Sequence, residues 1–323
     1  MADYYTLGAQ LPTLKQGDYR AHQLTSREFV ELLMEQGSKS DRKQVGLLLL
    51  REDNTLLLQI LRGEEVVVPQ HKMYVLGEDK LRFLVEATKQ RLEAERNAVT
   101  EYQELEYPRL PKYVYPQYME EFVVRYLTEQ HDGVAQPFFY ADLLLMSYAK
   151  HVQREGNSFL RRWFKLEQDI AATLTAVTAD KFKLDRKLYI LGDSPLYKLL
   201  QAGDWNEISY IPEGELVGAM RRIAEEDNLA VREQKIDDYK WRLLDEEIFT
   251  DIFSINAMLV YLLKLQILER WEKLDKVQGE QQFREIVSSL NRDFKQEMDD
   301  FKKSLKSHAK AKRVRQNSGE DSK

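Results

Sequence analysis

The sequence predicts an all-α protein, on three observations. Glycine and proline are scarce, at 14 and 8 of 323 residues, so few positions favour a turn over a helix. Leu, Glu, Lys, Gln and Arg dominate, and their straight side chains lose little rotamer freedom in a helix. Where apolar residues form stripes, as at Phe159, Trp163, Leu166 and Ile170, they recur at i, i+4, i+7 and i+11, the period of one helix face.

The elements follow in chain order. Phe29, Val30, Leu32 and Leu33 make an amphipathic helix over Thr25–Gln36, with Thr25 or Ser26 as its cap and Gly37 as its stop. Over Ser40–Leu61, two leucine runs flank Arg51-Glu52-Asp53-Asn54. Those four polar residues read as a turn, and leucines in place of β-branched residues favour a helical over a β-hairpin. After an extended piece at Val66-Val67-Val68-Pro69, a long polar helix is expected from Glu78 to Leu105.

Tyr107 to Pro116 holds three prolines, which remove donors and push the preceding residues out of the helical region. Helices are then expected over Gln117–Gln130, ended by Asp132-Gly133, from Pro137 toward His151, and over Phe159–Asp180 after a break at Gly156-Asn157-Ser158. Leu188–Ile211 is turn-rich with a short helix at Leu196–Gln201. Pro212-Glu213 reads as the first turn of the next helix. From there to Lys310, only Asp227-Asn228, Thr250-Asp251 and Gly279 interrupt helicity. The expected division is a lobe over 1–106, a connection over 107–116, a central lobe over 117–211, a long-helix lobe over 212–301 and a basic, disordered tail over 302–323. No fixed repeat period is visible among the helical blocks.

Charge is unevenly distributed. The net charge is −6, yet the segment Lys302–Lys323 carries +6 and leaves −12 on the residues before it. An acidic body argues against a folded nucleic-acid-binding domain, which needs a positive face to displace counterions. The seven basic residues from Lys302 to Arg315 could attract anionic headgroups or RNA, but a solvated tail is the simpler expectation. With no cysteine there is no disulfide and no thiolate chemistry. Met1–Tyr5 lacks the pattern of a secretory signal, and the apolar run Ile252–Leu263 is too short to span a bilayer, so a cytoplasmic location is expected.

Motifs for chemistry are absent from the sequence. There is no phosphate-cradling glycine loop, no H-E-x-x-H, no calcium loop and no G-x-S-x-G elbow, so no nucleotide, cofactor or metal is expected and no catalytic residue is assigned. His151 and Glu155 lie one helical turn apart, but two ligands are too few for a metal site. The acid pairs Glu225-Glu226, Asp237-Asp238 and Glu246-Glu247 read as solvated helix faces. Two richer segments remain. Asn157–Glu167 carries the Phe159/Trp163 stripe flanked by Arg162 and Glu167, and reads as a core helix. Ile248–Trp271 is apolar almost all round, as for a helix buried on several sides, and should form the core of the C-terminal lobe.

These two segments, with Tyr4–Pro12, resemble a bacterial family related to the C-type subunit of the V-type and A-type rotary ATPases. The Phe253, Ile255, Leu259, Tyr261 pattern is similar to the helix that ends the C-type chain; where that helix is usually followed by Asn-Ile-Arg, this chain has Leu268-Glu269-Arg270. The resemblance implies a funnel-like subunit of three helical bundles that does no chemistry. In that family it joins the central rotor shaft to the membrane proteolipid ring during proton or sodium transport, peripheral to the inner membrane. It implies no ligand residue and leaves partner-contact residues unassigned. The alternatives are a helical scaffold or adaptor outside the ATPase and a helical enzyme built on acids and aromatics. On the first reading the acidic body should meet basic surfaces on its partners.

Overall fold

A computed structural model describes residues 4–18, 24–66, 72–97, 106–133, 140–248 and 253–276. Thirteen helices lie among them and no strand does. They are α1 (Tyr5–Gln10), α2 (Ser26–Gln36), α3 (Lys39–Arg62), α4 (Gly77–Asn97), α5 (Gln117–His131), α6 (Tyr140–Glu155), α7 (Ser158–Phe182), α8 (Arg186–Tyr189), α9 (Pro195–Ala202), α10 (Trp205–Ile208), α11 (Gly214–Ala224), α12 (Leu229–Glu247) and α13 (Ile255–Lys276). The all-α class is therefore as expected. No helix among the described residues is long and apolar enough to cross a membrane.

Caps set most of the boundaries. Thr25 and Glu28 form a reciprocal capping box at the start of α2, and Ser38 with Asp41 does the same for α3, each satisfying donors that the first turn leaves orphaned. Gly63, at φ 68°, ends α3 in the left-handed conformation and returns its N–H to Gln59 and Ile60. Between α6 and α7 the chain turns so tightly that a Cβ on Gly156 would lie 2.6 Å from the Val152 carbonyl. Asn157 then caps α7 by accepting from the Leu160 N–H at 2.9 Å.

Two expectations change. Ser40–Leu61 is one straight run of α3 with no turn at Arg51–Asn54. Those residues are polar because they face other elements: Asp53 is fully buried and accepts from the N–H groups of Val75 (2.8 Å), Leu76 (3.0 Å) and Gly77 (2.9 Å), capping α4 from a neighbouring helix. Burial pushes the Asp53 carboxyl above its usual range, and the three N–H donors pull against that shift. Pro212-Glu213 is a turn, and α11 begins at Gly214 with Glu213 as its cap residue. The long polar helix is described as far as Asn97. Val67–Pro69, Ala98–Leu105, Pro137, Thr250-Asp251, Gly279 and the basic tail lie outside the described residues.

The helices close two circuits. In the first, α3, α4, α5 and α6 each pack on the next and α6 packs back on α3. In the second, α3 leads through α2, α13, α12 and α11 to α7, which packs on α6. Tyrosines tie the first circuit together by burying their rings and pointing their hydroxyls at backbone carbonyls. Tyr126 donates to Leu61 at 3.1 Å, Tyr148 to Leu47 at 2.7 Å and Tyr115 to Lys80 at 3.0 Å. One continuous core includes Phe29, Leu57, Leu84, Val123, Tyr148, Phe164 and Leu259, and so draws on all three expected lobes. The expected core residues Phe159 and Trp163 belong to it, and α13 lies within this common core. Two smaller clusters, around Ala176 and Ile170, seat α8–α12 on the second half of α7.

The Asp53 cap yields a test. Asp53→Ala strands three backbone donors at the entry to α4, and should cost about 2–3 kcal/mol. The check is the urea midpoint together with amide exchange, which should rise first at Val75–Gly77.

Candidate functional site

Side chains from α2, α3, α7, α12 and α13, with the link before α4, line an open cavity of about 700 Å³. Its floor is apolar, with Val30, Leu49, Trp163, Leu263 and Ile267. Its walls carry five cations (Arg27, Arg51, Lys72, Lys240, Arg270) and four acids (Glu52, Glu167, Asp237, Glu269). A second cavity, of about 370 Å³, lies along α6, α7 and α9 and is lined largely by small and apolar residues such as Ala171, Ala172, Thr175 and Leu145. The charged cavity is the stronger candidate because polar groups from five helices converge on it.

Glu167 is its centre. On α7, it accepts from the Arg51 fork of α3 and from Lys240 Nζ of α12 at 3.2 Å, while its own side chain is only 13% exposed. Burial alone would raise its pKa, but Arg51 and Lys240 outweigh that and hold the carboxyl below the usual glutamate range. It is therefore a carboxylate at neutral pH with its oxygens already engaged, and is not poised to exchange a proton.

The other acids are paired in the same way. Asp237 of α12 accepts from Arg270 and, at 2.7 Å, from Trp271 Nε1, both on α13. Glu269 of α13 reaches the first turn of α2, accepting from the Ser26 N–H at 2.5 Å and the Ser26 hydroxyl at 2.6 Å, where a negative charge suits the helix start. Glu52 of α3 pairs with Lys72, which anchors the link that Asp53 caps. Each contact joins two elements, so the cavity wall is a chain of polar bridges.

Of the residue pairs singled out in the sequence, none forms a cluster here. His151 lies half-buried with its ring 5.1 Å from that of Tyr118, and burial lowers its pKa; Glu155 pairs with Lys43 at 2.6 Å. No group of three or more His, Asp or Glu among the described residues could hold a metal. The expectation that the acid pairs are solvated fails for Asp237, which is buried, while Asp238 accepts from Gln16 at 2.5 Å. Glu226 accepts from Lys235 at 2.8 Å, and Glu247 pairs with Arg162. Lys72 and Lys240 went unnoticed in the sequence, and Arg51 and Glu269 were named there without being assigned to a site. The one local signal was a charged triplet, Arg51-Glu52-Asp53, inside a leucine-rich helix.

The family model for DUF2764, proteins of unknown function, matches residues 1–294. The chain belongs to the DUF2764 family. No curated protein and no solved structure matches it. The DUF2764 match covers every described helix, so both circuits and the cavity within the second fall within the family's span.

Glu167→Gln should leave Arg51 and Lys240 without their shared counter-charge and cost about 2–3 kcal/mol in chemical denaturation. Because the native Glu167 value is depressed, its contribution is present above the unfolded-state value near ~4.3 and is lost as pH falls through the native value. Stability of the variant should accordingly fall less steeply than wild type on acidification through that window.

Proposed function

We propose that the chain is a non-catalytic subunit of a V/A-type rotary ATPase, coupling the central rotor shaft to the membrane proteolipid ring. The observation that carries this reading is the convergence of the three segments that resemble the C-type subunit family. Asn157 Nδ2 donates to Asn256 Oδ1 at 2.9 Å, joining the first segment to the second. Tyr5 packs on Phe253 with ring centroids 4.7 Å apart, and Tyr261 donates to the Pro12 carbonyl at 3.1 Å, joining the opening segment to the second. Residues 99 and 249 positions apart in the chain are thus brought together, and the three segments pack as one unit, as pieces of one ancestral architecture would.

Mechanical coupling asks for stiff elements and many cross-links and asks for no reactive group. Long capped helices joined by buried tyrosines and ion pairs answer the first demand. The doubly paired Glu167 and the bridged Asp237 are occupied in holding helices together, which suits a part that transmits force. On this reading the protein meets the inner membrane from the cytoplasmic side, through its partners, and its acidic body docks on basic surfaces of the rotor.

The test is purification from gently solubilised native membranes through a tag on this chain. Rotor-shaft and proteolipid-ring proteins should come with it, and removing the chain should abolish ATP-driven ion pumping while ATP hydrolysis by the soluble sector persists. Recovery free of every ATPase component would overturn the proposal, and recovery with an unrelated assembly would favour the adaptor reading.

A further inference from the structure

The charges around the large cavity are equal in number, five cations against the four wall acids and Glu31, but they are unevenly placed. Lys72 is matched by Glu52, Arg270 by Asp237 and Arg27 by Glu31, one cation to one acid, and Glu269 is engaged by Ser26 at the start of α2. At Glu167, a single carboxylate is shared by two cations, Arg51 and Lys240. That corner therefore carries a surplus of one positive charge.

Its donors are also in surplus. An ammonium has three N–H donors and a guanidinium five. Among the described residues Lys240 makes a single hydrogen bond, to Glu167, and Arg51 directs two of its N–H groups to the same carboxylate. Lys240 is only 18% exposed, and it lines the cavity. A partly buried cation with spare donors is stabilised by any anion that can reach it. Beside this corner lies the apolar floor formed by Trp163, Leu263 and Ile267. The cavity's size, about 700 Å³, is that of small-molecule sites.

We propose that this cavity binds a small organic monocarboxylate. The carboxylate sits against Arg51 and Lys240, and the apolar body against Trp163, Leu263 and Ile267. One negative charge cancels the surplus. A neutral molecule would leave the local surplus at Arg51 and Lys240 and its spare donors unmatched, so an anionic carboxylate is the head group that fits. The indole N–H of Trp163 is sealed from the cavity and takes no part; the ring supplies a wall. This site is independent of the rotary-ATPase reading, because it rests on the wall charges alone.

Titration calorimetry on the full chain with three chain-matched probes tests it: octanoate, octanol and octylammonium. Octanoate should bind one to one, and the other two should bind at least about tenfold more weakly. Lys240→Gln should weaken octanoate about tenfold, and Lys240→Arg should restore it, since the charge and donors return. Lys43→Gln should leave it within about twofold, because that exposed cation of α3 pairs with Glu155 and does not line the cavity. Ile267→Trp, which fills the floor with every charge intact, should abolish binding and serves if Lys240→Gln does not fold. Absence of octanoate binding, equal binding of octanol, or octanoate binding untouched by both Lys240→Gln and Ile267→Trp would each overturn the proposal.

Discussion

Everything around the cavity depends on α7 being held against α3, α12 and α13 at once. Two residues do this. At the start of the helix, Asn157 reaches three partners: its side-chain oxygen caps Leu160, its amide donates to Asn256 of α13, and its backbone N–H donates to Gln44 of α3 at 2.7 Å. Nearly three turns on, Glu167 draws Arg51 of α3 and Lys240 of α12 to one carboxylate. Between these two points α7 buries Phe159, Leu160, Trp163 and Phe164 in the common core. Were α7 to rotate by one residue, about 100°, all of these contacts would be lost together.

Magnitudes separate what stabilises the second circuit from what orients it. Leu259, Leu262, Leu265 and Leu268 of α13 are fully buried, and each such side chain is worth about 1.5–3 kcal/mol. The bridges along the cavity involve cations that are partly exposed, such as Arg51 at 44% and Arg270 at 49%, where a pair contributes about 0.2–1 kcal/mol. Apolar burial on α13 therefore holds the circuit closed. The ion pairs choose the register at which it closes, since only one rotation of each helix brings the acid to its cation.

That division explains what could be read from the sequence. Helix ends were legible because their chemistry is local: Thr25 or Ser26, Asn157, and Asp132-Gly133 announce themselves within four residues, and of the first two it is Thr25 that caps. The stripe at Phe159 and Trp163 was legible because apolar period and burial coincide. Arg51–Asn54 was misread as a turn because four polar residues between leucine runs look alike whether they bend the chain or face a buried partner. Their partners are far away in sequence: Val75–Gly77 for Asp53, Tyr118 for Asn54 and Glu167 for Arg51. Asp237 and Glu269 were hidden for the same reason, their partners lying 33 or more positions away, where no periodicity reaches.

A cavity walled by satisfied acids and one over-supplied corner is an unusual thing to leave inside a helical circuit. Filling it with leucines would add apolar burial, and exchanging a buried ion pair for apolar residues is often neutral or better for stability. Exchanging whole pairs of the wall for apolar residues would therefore change stability little, although removing one partner alone is costly, so stability alone does not explain the wall. What leucines could not supply is direction: Glu167, Asp237 and Glu269 each bind a different helix, so the wall defines where α2, α3, α7, α12 and α13 stand relative to one another. Because each bridge is weak, a ligand or partner that competes for Arg51 or Lys240 would meet a small opposing energy, and the helices that share Glu167 would all feel the change.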